Sequence, residues 1–186
     1  MPARFALRIA LPAVSAALLL TAGLTMQTRA SPIHDRVVVA PSAALATGDD
    51  RQLVRAADAV FVGRVDAAEP VEMVGSTPYT HFDVTVIDVM KGALAGQVTL
   101  AQLGGVVPTR HERVVVSGDS PLETGNVYLF SAQQSAAAGA LVVVPGQGHI
   151  DLTADVLNPR ALTAESARTI PRVARMRSVM DLRPLG

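Results

Sequence analysis

The four histidines are the first side chains to consider for chemistry. They are His34, His81, His111 and His149. Zinc sites usually contain closely spaced ligand pairs or two histidines four residues apart on a helix, and no two of these histidines are close in sequence. His81 and Asp83, two residues apart, could share a strand face and bind a metal together with His149. The solvent-facing side of a half-buried strand explains the same pattern, so we predict no metal site and no cofactor.

Nucleophilic catalysis finds little support in the sequence. There is no cysteine, which excludes thiolate nucleophiles and cysteine-based zinc sites. No Gly-x-Ser-x-Gly motif occurs, and the cluster Ser117-Gly118-Asp119-Ser120 is typical of a loop. The adjacent carboxylates Asp49 and Asp50 are explained by the start of a helix. We therefore predict that the protein is not an enzyme and name no catalytic residue.

Two further segments could bind charged ligands. Pro145-Gly146-Gln147-Gly148 resembles a phosphate-binding loop only in its glycines, because it lacks the lysine and the following serine or threonine. A turn explains it better. Basic residues recur at helical spacing near the C-terminus and could contact anionic lipid or cell-wall polymer. A solvated helix packed on the β domain explains them more simply; the residues are Arg168, Arg172, Arg175 and Arg177.

The N-terminus has the pattern of a secretory signal peptide. Arg4 and Arg8 precede an apolar run, Ile9 to Leu20, and Thr28-Arg29-Ala30 offers small residues to a signal peptidase. We expect cleavage after Ala30 and a secreted, extracellular protein. The alternative is a protein anchored in the membrane by residues 9–26. A lipoprotein anchor is excluded, because it needs a cysteine.

Composition bounds the remaining chain. Residues 31–186 suit one domain, and without disulfides its stability must come from the hydrophobic core. They contain 16 acidic and 13 basic residues, a formal net charge of −3, with no strong field of either sign. We therefore expect no nucleic-acid partner.

Hydrophobic patterning predicts a mainly β fold. Residues 31–48 are predicted as a flexible lead-in, residues 49–153 as a β-barrel domain that begins with a short helix, and residues 154–186 as a helical C-terminal tail. The phase of alternation slips at Ile87, which predicts a β-bulge. The predicted elements are a helix over 51–57, strands over 59–65, 79–90, 97–103, 127–130, 140–144 and 149–152, an edge strand over 114–116, a loop over 70–78 and helical segments between 163 and 180.

A family resemblance supports this fold. The segments AADAVFVGRV, YTHFDVTVIDVMKG, GQVTL and LETGNVYLFSA, in this order, resemble the netrin-like domain shared with tissue inhibitors of metalloproteinases. They are most similar to uncharacterised exported proteins of high-GC bacteria, over about residues 51–150. The resemblance implies a small OB-like five-stranded barrel. It does not carry over the inhibitory mechanism, which needs an N-terminal cysteine that this chain lacks.

The functional expectation is an exported, non-enzymatic binding or interaction module. Its partner is expected to be a protein or a cell-envelope component, because few aromatic side chains are present to stack on bases or sugars. One alternative is a protease inhibitor that acts through the loop Glu69 to Pro78. A less favoured alternative is a metal-binding protein that uses His81, Asp83 and His149.

Overall fold

The computed structural model describes residues 32–38 and 49–181, which all belong to one compact unit, Ser31–Gly186. The predicted signal peptide over 1–30, with the alternative anchor over 9–26, lies outside the described residues. So does most of the predicted lead-in. Among the helices of the described ranges, none is long and apolar enough to cross a membrane.

The described chain is mainly β, as the sequence predicts. The strands are β1 (His34–Val38), β2 (Ala59–Ala68), β3 (Glu72–Val74), β4 (Thr77–Lys91), β5 (Gln97–Leu103), β6 (Gly105–Val107), β7 (Glu112–Val116), β8 (Val127–Ser135), β9 (Ala140–Val143) and β10 (His149–Asp151). The helices are α1 (Asp50–Ala56), α2 (Ala164–Arg168) and α3 (Pro171–Asp181).

Helix α1 begins at Asp50, one residue before the predicted start, and Asp49 is its N-cap. The carboxylate of Asp49 accepts hydrogen bonds from the amides of Arg51 and Gln52, at 2.9 and 3.3 Å, and so satisfies donors that the first turn leaves free. At the other end, the ammonium of Lys91 donates to the carbonyl of Val54 at 2.8 Å and to that of Ala57. Both ends of this short helix are therefore capped by side chains.

Five strands pair in a continuous cycle. β2 pairs antiparallel with β4, β4 antiparallel with β5, and β5 parallel with β9. β9 pairs antiparallel with β8, and β8 antiparallel with β2, which returns the pairing to its start. β10 adds to β8, and β3 adds to β4. A second sheet has the order β1-β7-β6, with β1 parallel to β7.

The predicted bulge lies in β4. Val62 of β2 is opposite Asp88 and Gly63 is opposite Val86, so Ile87 has no partner across the pair. A Cβ at Gly63 would lie 2.6 Å from Cγ1 of Val84, which explains the glycine through close approach of the two strands. A bulge bends the strand that contains it, and β4, at 15 residues, is long enough to pair with both β2 and β5.

Two hydrophobic clusters lie on opposite faces of β2. One contains side chains inside the cycle: Ala59, Phe61, Val65, Phe82, Val84, Leu100, Leu122, Tyr128, Phe130, Ala132, Leu141 and Val143. The other lies between the outer face of β2, β8 and β10 and the helices: Leu53, Ala57, Val60, Val62, Val127, Leu129, Val144, Leu152, Ala167, Ile170, Val173 and Met176. The segment predicted as a helical tail therefore packs into the core through α2 and α3.

Three sequence predictions need correction. The lead-in, predicted as flexible, contains β1, whose backbone pairs with β7 over five positions. The segment 70–78, predicted as a loop, is a hairpin in which β3 pairs with the start of β4 around a turn at Gly75-Ser76. The segment 106–117 holds two strands, β6 and β7, rather than one edge strand. All three involve short or exposed strands, where the hydrophobic alternation is weak.

Two buried carboxylates fix the C-terminal helices. Asp88 on β4, with a side chain 2 % exposed, pairs with Arg168 of α2 at 3.0 Å and with Arg177 of α3. Asp50 of α1 pairs with two further arginines of α3, Arg172 at 2.9 Å and Arg175 at 3.1 Å. The basic face that the sequence offers to an anionic surface is thus paired internally.

We expect Asp88→Ala to lower the free energy of unfolding by about 3 kcal/mol, because it leaves Arg177 half-buried without its counter-ion. Denaturant unfolding checks this value. Asp155→Ala, which removes an exposed carboxylate, is the control and should change stability by less than about 0.5 kcal/mol. Equal effects of the two substitutions would contradict a structural role for Asp88.

Candidate functional site

A sharp corner at Gly104-Gly105 forms one side of the candidate site. Both glycines have positive φ angles, 109° and 126°, and a Cβ on Gly104 would lie 2.6 Å from the carbonyl oxygen of Val114. The hydroxyl of Thr80 donates to the Gly104 carbonyl at 2.9 Å and holds the corner to β4. The chain therefore turns directly from β5 into β6, and the hairpin β6–β7 lies beside the end of β5.

A cavity of about 340 Å³ lies at this corner. Its walls come from the end of β5, from β6 and β7, and from the loop that follows β7. Apolar side chains make up much of the lining, and three polar side chains join them. The apolar residues are Leu103, Val106, Val114, Val115, Val116 and Pro121, and the polar ones are Gln102, Arg113 and Asp119.

Gln102 holds the loop that carries Asp119. Its amide nitrogen donates to the carbonyl of Ser120 at 2.8 Å, and its amide oxygen accepts from the backbone N–H of Leu122 at 2.9 Å. Leu122 is itself buried in the cluster inside the cycle. Both hydrogen-bonding groups of a buried side chain are thus used to fix the backbone on either side of Pro121. Asp119 is positioned by this anchored loop.

Asp119 meets His149 in a buried pair. Nδ1 of His149 lies 3.2 Å from Oδ1 of Asp119, and the two side chains are 9 % and 2 % exposed. The backbone of Gly146 and the side chain of Gln102 also donate to this carboxylate. The imidazole also packs edge-on against the ring of Tyr128, with centroids 5.6 Å apart.

Burial disfavours charge on both members of the pair. Desolvation raises the pKa of Asp119, against weaker opposing effects of His149, the Gly146 backbone and Gln102. Desolvation lowers the pKa of His149 below its ordinary value of 6.5, although Asp119 and Asp151 oppose this. Near pH 7 the imidazole is therefore mostly neutral, and it does not supply a full positive charge to the carboxylate.

The residues of the alternative metal-binding hypothesis do not come together at this site. His81 lies on β4, with Nδ1 3.3 Å from a carboxylate oxygen of Glu72, whereas β10, which carries His149, pairs with β8. Across residues 32–38 and 49–181, no group of three or more histidine or acidic side chains is arranged to hold a metal ion. Asp83 lies two positions along β4 from His81, and the structure does not bring it to His149.

The remaining candidate segments have structural explanations. His34 and His111 are linked through their backbones at the start of the β1–β7 pair, at 2.9 Å. Pro145 to Gly148 forms the predicted turn: the N–H of Gly148 donates to the Val144 carbonyl at 2.7 Å, and its own carbonyl accepts from Ser131. The segment Glu69 to Pro78, the alternative inhibitory loop, is largely a paired hairpin with a two-residue tip.

Sequence patterns single out Asp119 and His149 but do not connect them. Asp119 belongs to a polar cluster that is typical of a loop, and His149 is considered as a metal ligand only together with His81. Thirty residues separate the two, and no local periodicity signals that the loop folds over β10. Gln102 stands out in the sequence only as a polar residue of a predicted strand. Its position in phase with Val98 and Leu100, on the apolar face of the predicted strand, is the sequence signal that could have directed attention to the site.

Comparison with known proteins adds no family assignment. The chain matches no protein-family model and no curated protein sequence. The chemistry of the site therefore has to be argued from its own geometry.

We expect Asp119→Asn to raise the free energy of unfolding at pH 7.5 by about 1 kcal/mol, because a neutral amide costs less to bury than an ionised carboxylate, for which desolvation is the largest effect on the pKa. The pKa of Asp119 is higher in the native state than its unfolded value of 3.8. The protonated carboxyl therefore stabilises the wild type below pH 3.8, and this stability is lost as the pH rises through the native pKa. His149 contributes in the same direction. Asparagine removes the carboxylate charge that favours the imidazolium, so protonation of His149 at low pH destabilises the variant more than the wild type. The advantage of the variant should therefore increase from pH 4 to pH 7.5.

Chemical denaturation across this pH range measures the effect. Asp155→Asn, an exposed carboxylate, is the matched control and should show no such trend. A variant that is less stable than the wild type, by the same amount at every pH, would identify Asp119 as a purely structural partner of His149.

Proposed function

We propose that this chain is an exported, non-enzymatic binding module built on a five-stranded OB-like barrel, and that it binds a protein partner through the cavity beside β5, β6 and β7. The observation that carries the proposal is the cavity of about 340 Å³ itself, which has apolar walls and lies beside a loop that Gln102 holds in place.

The cycle of strand pairings supports the barrel. Its members, β2, β4, β5, β9 and β8, each pair with two others of the set, so none of the five is an edge within it. The interior holds a single packed cluster that includes Phe61, Phe82 and Phe130. A filled interior and five strands are what an OB-like barrel requires. The filled interior also means that a ligand has to bind outside the barrel, where the cavity lies.

Binding explains the site better than catalysis. An acyl-transfer site needs a nucleophile hydrogen-bonded to a base, and an oriented donor for the developing oxyanion. Burial opposes charge on both the carboxylate and the imidazole, and no hydrogen bond from a serine or threonine hydroxyl to either is seen among the described residues. A pocket with apolar walls and a few polar side chains instead matches the usual architecture of a recognition site.

A protein partner fits the composition and the sequence signals. Phe, Tyr and Trp make up 3 % of the chain, which leaves few rings to stack on sugars or bases. A cavity of about 340 Å³ has room for one or two side chains of a partner. The N-terminal pattern supports export, so the partner would be an extracellular or cell-envelope protein.

Blocking the cavity tests the binding site. Peptides are selected from a random display library on the immobilised full chain, and their affinities are measured by calorimetry. We expect Val106→Trp, which fills the cavity from β6, to weaken binding at least about 10-fold, because the pocket no longer admits an anchor residue. Leu157→Trp introduces the same ring at a fully exposed site and should leave the affinity unchanged. The absence of any saturable ligand, or equal binding by both variants, would overturn the proposal.

The export part of the proposal has its own test. The protein is recovered from the culture medium, the envelope and the cytoplasm of its native host, and its mass is measured in each fraction. We expect a species that begins at Ser31 in the medium or the envelope. An intact chain that sediments with the membrane would show instead that residues 9–26 act as an anchor.

A further inference from the structure

We infer that the outer edge of β1 is a second interaction surface, which binds an extended segment of a partner protein by strand addition. The segment carries a basic residue opposite Asp35 and an acidic residue opposite Arg36. Apolar residues of the segment lie opposite Ile33 and Val37. This surface is separate from the proposed binding cavity, because no residue of β1 lines that cavity.

The main chain of β1 is hydrogen-bonded on one side. His34 and Val38 form backbone hydrogen bonds of 2.9 Å at the two ends of the pairing with β7. Alternate residues of a strand turn their N–H and C=O groups to the same neighbour, so the main-chain groups of Asp35 and Val37 point to the opposite edge. Within the described part of the chain, no strand pairs with that edge. Such a row of main-chain donors and acceptors is what strand addition uses.

The side chains along this edge include exposed apolar groups. Ile33 and Val37 are 50 and 65 % exposed, and Asp35 lies between them on the same face of the strand. The register partner of Val37 on β7 is Val115, which is only partly buried, so the apolar surface continues from β1 onto β7. A partner strand with apolar residues opposite Ile33 and Val37 removes both from water.

Charges on the two faces of β1 define the sequence of the partner strand. On one face Asp35 lies opposite Arg113 of β7 in the register, and on the other face Arg36 pairs with Glu112 at 3.4 Å. A strand added beyond β1 continues both rows. Opposite charges on neighbouring strands are favourable, so a basic residue is preferred opposite Asp35 and an acidic residue opposite Arg36.

A second copy of this chain does not match this pattern. Two identical strands that pair antiparallel about a twofold axis place one residue opposite its own copy. The register that overlaps all of β1 places Arg36 opposite Arg36, and the register that aligns Ile33 with Val37 places Asp35 opposite Asp35. Like charges directly opposite each other destabilise a sheet. These repulsions favour a segment of a different protein.

Capped synthetic peptides test the charge pattern on the wild-type full chain. One peptide contains Val-Glu-Lys-Thr-Val, which is complementary to β1 in the antiparallel direction, and a second contains Val-Thr-Lys-Glu-Val, which is complementary in the parallel direction. Each has a control peptide in which lysine and glutamate are exchanged. We expect at least one complementary peptide to bind about 10-fold more tightly than its control, with the largest changes in the amide signals of β1. No saturable binding, or equal binding of the complementary peptides and their controls, would overturn the inference.

A second test removes a main-chain donor from the open edge. Val37→Pro deletes an N–H that points away from β7, so β1 keeps its pairing with β7. We expect this variant to bind the tighter peptide at least about 10-fold more weakly. Val37→Ala keeps the N–H, is the matched control, and should weaken binding by less than about 3-fold. Slow hydrogen exchange at the His34 N–H verifies that β1 remains paired. Unchanged affinity in Val37→Pro would also overturn the inference.

The two binding surfaces give distinguishable results. We expect peptide binding that depends on Val37 and is unaffected by Val106→Trp. Binding that Val106→Trp abolishes and Val37→Pro leaves intact would place the peptide in the cavity, which would overturn the inference and support the proposed function. Sedimentation of the full chain is expected to show a monomer. A dimer that Val37→Pro dissociates would show that a second copy covers the edge, and it too would overturn the inference.

Discussion

Strand β2 is covered on both faces, and the rest of the structure depends on this constraint. Val60 and Val62 face the helices, whereas Phe61 and Val65 face the inside of the strand cycle. All four are fully buried. A strand buried on both sides needs two layers of partners, so the chain must supply the strand cycle on one face and three helices on the other. With no disulfide to assist, this double burial is the main source of stability.

The candidate site lies where this regular arrangement ends. After β5 the chain leaves the cycle through Gly104-Gly105, forms the hairpin β6–β7, and returns at β8. The returning loop places Leu122 in the interior and Asp119 at the cavity. Gln102 connects the interior and the cavity, because its hydrogen bonds to Ser120 and Leu122 fix the loop that carries both Leu122 and Asp119. The fold and the proposed binding cavity are therefore coupled through a single side chain.

Local patterns predict much of the fold. The bounds of β5 are those expected from its alternation, the slip of phase at Ile87 is a bulge, and Asp49 caps α1. Each of these depends on residues that are neighbours in sequence. β1, β3 and β6 escape prediction because they are three to five residues long and exposed or only partly buried, so they carry little hydrophobic signal. The pair of Asp119 and His149 depends on which strands are neighbours across the sheet, and no local property of either residue encodes that.

The position of α2 and α3 has a consequence for how the chain acquires its structure. These helices cover Val60 and Val62 and bring the arginines that neutralise Asp50 and Asp88, although they lie near the other end of the sequence. Nearly all the chain must therefore emerge from the ribosome before the first long strand can bury both faces. Contacts between such distant segments slow folding, because the entropy of closing a long loop is lost before the contacts form. A chain that folds late remains unfolded during synthesis, and an unfolded chain is the form that a protein-conducting channel accepts.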